Sequence, residues 1–196
     1  MIITVLDTET TGLNPASHEI IEVALISYVI GENGERFITH QFSAKIKPQH
    51  IERASPKALE VNHYNEHDWR NAKEISYTLP IIKSMIDKSS VLIGQNLIFD
   101  LRFLSDAFEK NGYEVPNYPA YIDTKAMADV LRGSNKIARS SMDYLCEHYN
   151  IKFSGKAHSA LTDCQRTMMV WDKLLEDCGD YDFYSYSDPY EFKYDR

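Results

Sequence analysis

The chain has 196 residues, 43% of them hydrophobic, and a formal net charge of −8. That is enough apolar material for one ordinary domain with a buried core, and no stretch approaches the roughly 18 consecutive apolar residues of a membrane span. The opening MIITVLDTET has no basic segment before its apolar residues and meets Asp7 early, so it reads as a buried strand, not as a signal peptide. Three cysteines, Cys146, Cys164 and Cys178, without a C-x-x-C pair, argue against a disulfide framework or zinc knuckle and fit the reduced thiols of a cytoplasmic protein. The acidity is uneven. Of 29 acids and 21 bases, residues 172–196 hold eight of the acids and three of the bases, which leaves −3 on the remainder. Such a charge argues against a tight grip on long DNA, but not against an enzyme that works on ends.

Strands come first along the chain. MIITVLD is a short apolar run ending in acids. EIIEVALISYVI is rich in Ile and Val and suits a central strand. After the GENG turn, RFITHQFSAKIKP alternates and stops at Pro48, which completes an antiparallel meander. Residues 55–70 read as short helical turns. Thr78 is expected to N-cap a helix with Pro80 in its first turn, running to about Lys88. VLIGQN reads as a buried strand, IFDLRFLSDAFEKNG as a helix stopping at Asn111-Gly112, and YPAYIDT as another strand. Helices are expected over about 124–132, 140–148 and 159–176. Three strands, then strand–helix units, then helices predict an α/β sandwich around one mixed sheet. Residues 177–196 are dense in Asp and Tyr without periodicity and read as an acidic tail after a domain over 1–176.

The chemistry-bearing residues are acids. Asp7 and Glu9 are two apart on one strand and so share a face. Carboxylates clustered in this way suit hard divalent cations such as Mg²⁺ or Mn²⁺. In Asp7-Thr8-Glu9-Thr10-Thr11-Gly12-Leu13, Gly12 permits close backbone approach, Thr10 and Thr11 offer polar groups, and Leu13 is an apolar residue able to pack on a base. Asp100 lies in the first turn of a helix, where complementing the helix dipole is the plainer role. His158 follows Gly155 on a loop, five residues before Asp163. A His beside a carboxylate cluster is a candidate general base.

Together these segments resemble the DEDDh exonuclease family, whose best-known members are the proofreading epsilon subunits of bacterial DNA polymerases. The family pattern D-x-E-T-T-G-(L/M) is met by DTETTGL, N-x-x-F-D-x-x-F-L by NLIFDLRFL, and H-x-A-x-x-D by HSALTD, in the family's order and over about residues 1–175. The resemblance implies an RNase H-like fold, a five-stranded mixed sheet flanked by helices. It also implies 3′→5′ hydrolysis of a nucleic acid by two divalent ions about 3.5–4 Å apart, Mg²⁺ with Mn²⁺ as substitute. Asp7 would bridge both ions, Glu9 and Asp163 would complete the first site, Asp100 would hold the second, and His158 would be the general base. Substrate contacts are expected from Thr10, Gly12, Leu13, Val61, Asn62, Asn96 and Phe99, with core packing the plainer reading for Phe103. Many relatives carry a Val-His-Gly-like turn against the terminal nucleotide. Here the segment runs through Val61 and Asn62, so Asn62 stands in place of that His.

Lys125, Arg132, Lys136, Arg139, Lys152, Lys156 and Arg166 form the most basic stretch, part of which is expected to track phosphates. Thr10 in E-T-T-G favours DNA, because oligoribonuclease-like members tend to carry Met there, while a 3′→5′ exoribonuclease of the same family is the first alternative. The second is an inactive interaction module with a Tyr-rich tail, which the five filled motif positions disfavour. A polymerase or other protein partner is compatible with the chain, but no residue names one.

Overall fold

The computed structural model describes residues 1–155 and 157–179. Lys156 and most of the acidic tail therefore lie outside the described residues. Five strands form one sheet in the order β3-β2-β1-β4-β5. They are β1 (Ile3–Thr10), β2 (Ile20–Ile30), β3 (Arg36–Lys45), β4 (Val91–Gly94) and β5 (Ala120–Asp123). β1–β2 and β2–β3 pair antiparallel, and β1–β4 and β4–β5 pair parallel, so the sheet is mixed as expected. β2 is interior, and the centre belongs to β1.

Helices cover both faces. On one, Leu6, Val23, Leu25 and Leu92 pack against α3 (Ile75–Asp87) and α4 (Leu97–Lys110) through Leu79, Ile82, Leu101 and Leu104. On the other, Val5, Ala24 and Ile26 meet α7 (Ala160–Cys178) through Ala160, Cys164 and Trp171. α5 (Thr124–Gly133) and α6 (Met142–His148) close over α7 through Leu131, Leu145 and Val170. Each fully buried aliphatic side chain contributes about 1.5–3 kcal/mol, so the strands' alternation between two apolar faces fixes their register. Between β3 and α3 lie a 3-10 turn (Ile51–Arg53), α1 (Pro56–Val61) and α2 (Glu66–Trp69). Among the described residues, no helix is long and apolar enough to cross a membrane.

One helix start differs from expectation. α3 begins at Ile75 behind Glu74, so Pro80 sits inside the helix and Thr78 does not cap it. The missing Pro80 N–H leaves the Ser76 carbonyl without its helical donor, and the Tyr113 hydroxyl donates to that carbonyl at 3.2 Å. Thr78 turns its hydroxyl back onto the Ile75 carbonyl at 2.8 Å, while Leu79, Ile82 and Ile86 enter the core. Burial of that apolar face carries the helix through the proline.

Candidate active site

β1 outruns its parallel neighbour. Its ladder with β4 covers Ile3 to Val5 only, so the strand's C-terminal half has an open edge there. α4 begins just past β4 and fills that edge. Asp100 Oδ1 accepts from the Thr8 N–H at 2.8 Å and from the Thr8 hydroxyl at 2.6 Å. The acid is thus fixed beside the backbone of the Asp7–Glu9 pair, and a second oxygen is left over. Its position inside the first turn of α4 is consistent with the helix dipole, but these bonds to β1 determine where it points.

From the other face, α7 delivers Asp163, and the loop before it delivers His158. Ligand atoms of Glu9, His158 and Asp163 all lie within 4.8 Å of one another. His158 has a left-handed backbone, φ 60°, which is strained for a residue with a Cβ. Its N–H donates to Asp163 Oδ2 at 3.0 Å, which holds the turn.

The electrostatics are those of negative charges with too little to balance them. Burial, then Asp100, Glu9, Asp163 and Glu22, hold the Asp7 carboxyl well above the usual carboxylate range. Burial first, and Asp163 and Glu22 next, push Glu9 up to about 8. Burial lifts Asp100 to about 7, although both Thr8 bonds pull it down. Buried acids that repel one another in this way form a site suited to a cation.

Two residues have a place in this site that the sequence did not show. Glu22 lies directly across the β1–β2 ladder from Glu9 and accepts from the Ser159 hydroxyl at 3.0 Å. Burial raises its pKa, offset by Ser159 and Lys45. The available signal was an acid in the middle of the apolar run EIIEVAL. Arg166 is the other, a member of the basic stretch of which only part is expected to track phosphates. It does not track phosphates, because it is 1% exposed and its guanidinium donates to Asp163 Oδ1 at 2.7 Å. It also donates to Asp143 and, through Nε, to Cys146 Sγ at 3.5 Å. Burial alone would depress its pKa, but those bonds outweigh burial and raise it.

The expected substrate-contact residues divide. Leu13 is 85% exposed, the most exposed of the large apolar side chains described. Phe99 is half-buried, with its ring 4.8 Å from that of Phe103, which is core. Asn96 is exposed and left-handed, and its N–H donates to Asp123 Oδ1 at 2.9 Å, the same oxygen that caps α5. Val61 is half-buried at the end of α1. Thr10 and Asn62 face inward. The Thr10 hydroxyl donates to the Gly12 carbonyl at 2.6 Å, and the buried Asn62 amide donates to the Thr10 carbonyl at 2.8 Å. Both shape the end of β1.

Gly12 has a steric reason. A Cβ there would lie 2.3 Å from the His18 ring. Gly12→Ala is expected to destabilise the protein by about 1–3 kcal/mol, with most of the loss recovered in Gly12→Ala/His18→Ala. A denaturant titration of both variants checks this, and equal losses in the two would reject the contact as the cause.

Residues 4–171 match the model of the RNase T-type family described as "Exonuclease". The chain belongs to this exonuclease family. It is a DnaQ-like 3′→5′ exonuclease with an RNase H-like fold. Similar curated proteins include ribonuclease T of Buchnera aphidicola subsp. Baizongia pistaciae, 27% identical over 87% of this chain and 82% of that protein. Ribonuclease T of Actinobacillus pleuropneumoniae serotype 5b is 26% identical over 94% of this chain and 89% of that protein. Among solved structures, E. coli exonuclease I with a bound oligonucleotide superposes with a TM-score of 0.72 at 18% identity over 88% of this chain. The exonuclease spans only 41% of the exonuclease I chain. Cell-death related nuclease 4 gives a TM-score of 0.73 at 15% identity, over 91% of this chain and 64% of that one. These structural likenesses bear on the fold.

Proposed function

We propose that the exonuclease hydrolyses the terminal phosphodiester of single-stranded DNA 3′ ends, releasing nucleoside 5′-monophosphates with the help of two divalent ions. The observation that carries the metal part is the donor set. Asp7, Glu9, Asp100 and Asp163 are all hard oxygen ligands, and burial first, with repulsion from neighbouring acids, raises Asp7, Glu9 and Asp100 above the usual carboxylate range. Their four charges match two Mg²⁺ ions, with Mn²⁺ able to substitute. When bound, such ions supply Lewis acidity at the phosphate and lower the pKa of a nearby water.

The protein's own part is positioning and proton transfer. An imidazole nitrogen of His158 takes the proton of the attacking water, so His158 must be neutral in the resting complex and acid pH must lower the rate. Asp163 Oδ2 keeps His158 in its turn through the backbone N–H. Gly12 lets the chain pass close to the terminal nucleotide, and the exposed Leu13 packs against its base. Phe99, Val61 and Asn96 lie on the elements around the same edge and are the remaining candidates for contact.

Thr10 and the oligonucleotide complex of exonuclease I support DNA. A second reading, RNA, is supported by the curated relatives named ribonuclease T, matched over most of their length. The test is kcat/KM on DNA and RNA single strands of one sequence. DNA is expected to lead by about ten-fold or more, the worth of one contact of about 1.4 kcal/mol. A lead for RNA would move the enzyme to the ribonuclease branch with the same site residues. Leu13→Ala is expected to raise KM about ten-fold on the favoured substrate and leave Tm unchanged, since it removes a contact made only with substrate.

A further inference from the structure

We propose that Arg166 is a positioning residue that orients Asp163 and, through it, His158. The proposal rests on the reading of Asp163 as a metal ligand. Among the described residues Arg166 is the one buried Lys or Arg, at 1% exposure. Burying a guanidinium is costly unless it is fully paired, and well-packed apolar residues often serve stability at least as well. Its presence here therefore calls for a reason beyond packing.

Its contacts supply one. The planar fork joins three parts of the chain. One turn back on α7 it holds Asp163 Oδ1 at 2.7 Å. On α6 it holds the Asp143 carboxylate and, through Nε, Cys146 Sγ at 3.5 Å. Its Cζ lies 4.7 Å from the ring centre of Phe153, on the segment that leads into the His158 loop. With Oδ1 fixed by Arg166, Oδ2 is turned to the His158 N–H at 3.0 Å. That bond holds a left-handed, non-glycine backbone at φ 60°. Arg166 thus sets the carboxylate plane, and the plane sets the His158 turn. Loss of the fork leaves Asp163 free to rotate and the strained turn free to relax. A lysine offers one point charge in place of the fork and cannot hold Asp163, Asp143 and Cys146 together.

The test is Mn²⁺ binding by calorimetry, with kcat and KM, on the full chain. Arg166→Gln is expected to weaken Mn²⁺ binding and lower kcat by about 10–100-fold each, as partners that orient metal ligands do, while KM changes less than about three-fold. Arg166→Lys is expected to fall nearer to Gln than to wild type. Asp143, whose side chain is 71% exposed, can be changed without risk to the core. Asp143→Asn is expected to weaken Mn²⁺ binding and kcat by about three-fold through a looser Arg166. A folded Arg166→Gln with wild-type Mn²⁺ binding and kcat overturns the proposal. If that variant does not fold, wild-type values in Asp143→Asn overturn it. Asp163→Asn separates this proposal from the metal reading. If it leaves Mn²⁺ binding intact, the metal reading fails. If it weakens binding and Arg166→Gln does not, only the role of Arg166 fails.

Discussion

Asp7→Asn is expected to melt higher than wild type in EDTA and to turn over substrate about a thousand-fold more slowly in Mg²⁺. The two effects share one cause. Asp7 stands among Asp100, Glu9, Asp163 and Glu22, and burial and these charges hold its carboxyl well above the usual range. In the metal-free fold at neutral pH, its ionised form is a liability. Asn keeps the shape and removes the charge, so the metal-free variant is expected to have the higher Tm. The same charge is what a divalent ion requires. A thousand-fold loss corresponds to about 4 kcal/mol of transition-state stabilisation, the scale expected when an ion is lost instead of one contact weakened. A variant that melts lower in EDTA and keeps most of its activity would contradict both halves.

The second large effect is the pH dependence of stability and its reversal by metal. Glu9 rises from an ordinary 4.5 to about 8, and Asp100 from 3.8 to about 7. A carboxylate whose folded pKa exceeds its unfolded one binds its proton more tightly when folded. Its contribution to stability is therefore full below the unfolded pKa and is lost as pH rises through the folded one. The metal-free exonuclease should lose stability as pH rises from 3.8, the ordinary value of Asp100, to about 8, the raised value of Glu9. Divalent ions bind the ionised carboxylates, so their stabilisation runs the opposite way. At pH 8, with Mn²⁺ at a hundred times its Kd, mass action gives about 2.7 kcal/mol, or roughly 5–10 °C. At pH 5 the same Mn²⁺ should shift Tm by less than a third of that, because protons occupy the site. Thermal melts at the two pH values, with Mn²⁺ and with EDTA, measure this. An equal shift at both would mean that the ion binds elsewhere.

The parts legible in the sequence were those set by local rules. Apolar runs marked β1 and β2, which bury side chains on both faces, and alternation and turn residues marked β3. Asp7, Glu9, Asp100, His158 and Asp163 stood out through their motifs, and the structure brings them to one sheet end from β1, α4, α7 and the loop before α7. What stayed hidden depends on tertiary contacts. Pro80 and Thr78 suggested a later start for α3, but core burial and the Tyr113 hydroxyl support an earlier one. Glu22 read as one acid in a strand, since its nearness to Glu9 exists only once β2 pairs with β1. Arg166 was counted only as part of the most basic stretch, because a sequence does not show which face of a helix lies over an acid. That Thr10 and Asn62 tie the end of β1 together was hidden too, since those bonds exist only in the fold.

The most direct test uses wild-type protein and 5′-labelled single-stranded DNA, with Mg²⁺ or with EDTA, followed over time. The account expects a ladder that shortens from the 3′ end one nucleotide at a time in Mg²⁺, with nucleoside 5′-monophosphates as product, and an intact strand in EDTA. Shortening that continues unchanged in EDTA would contradict it.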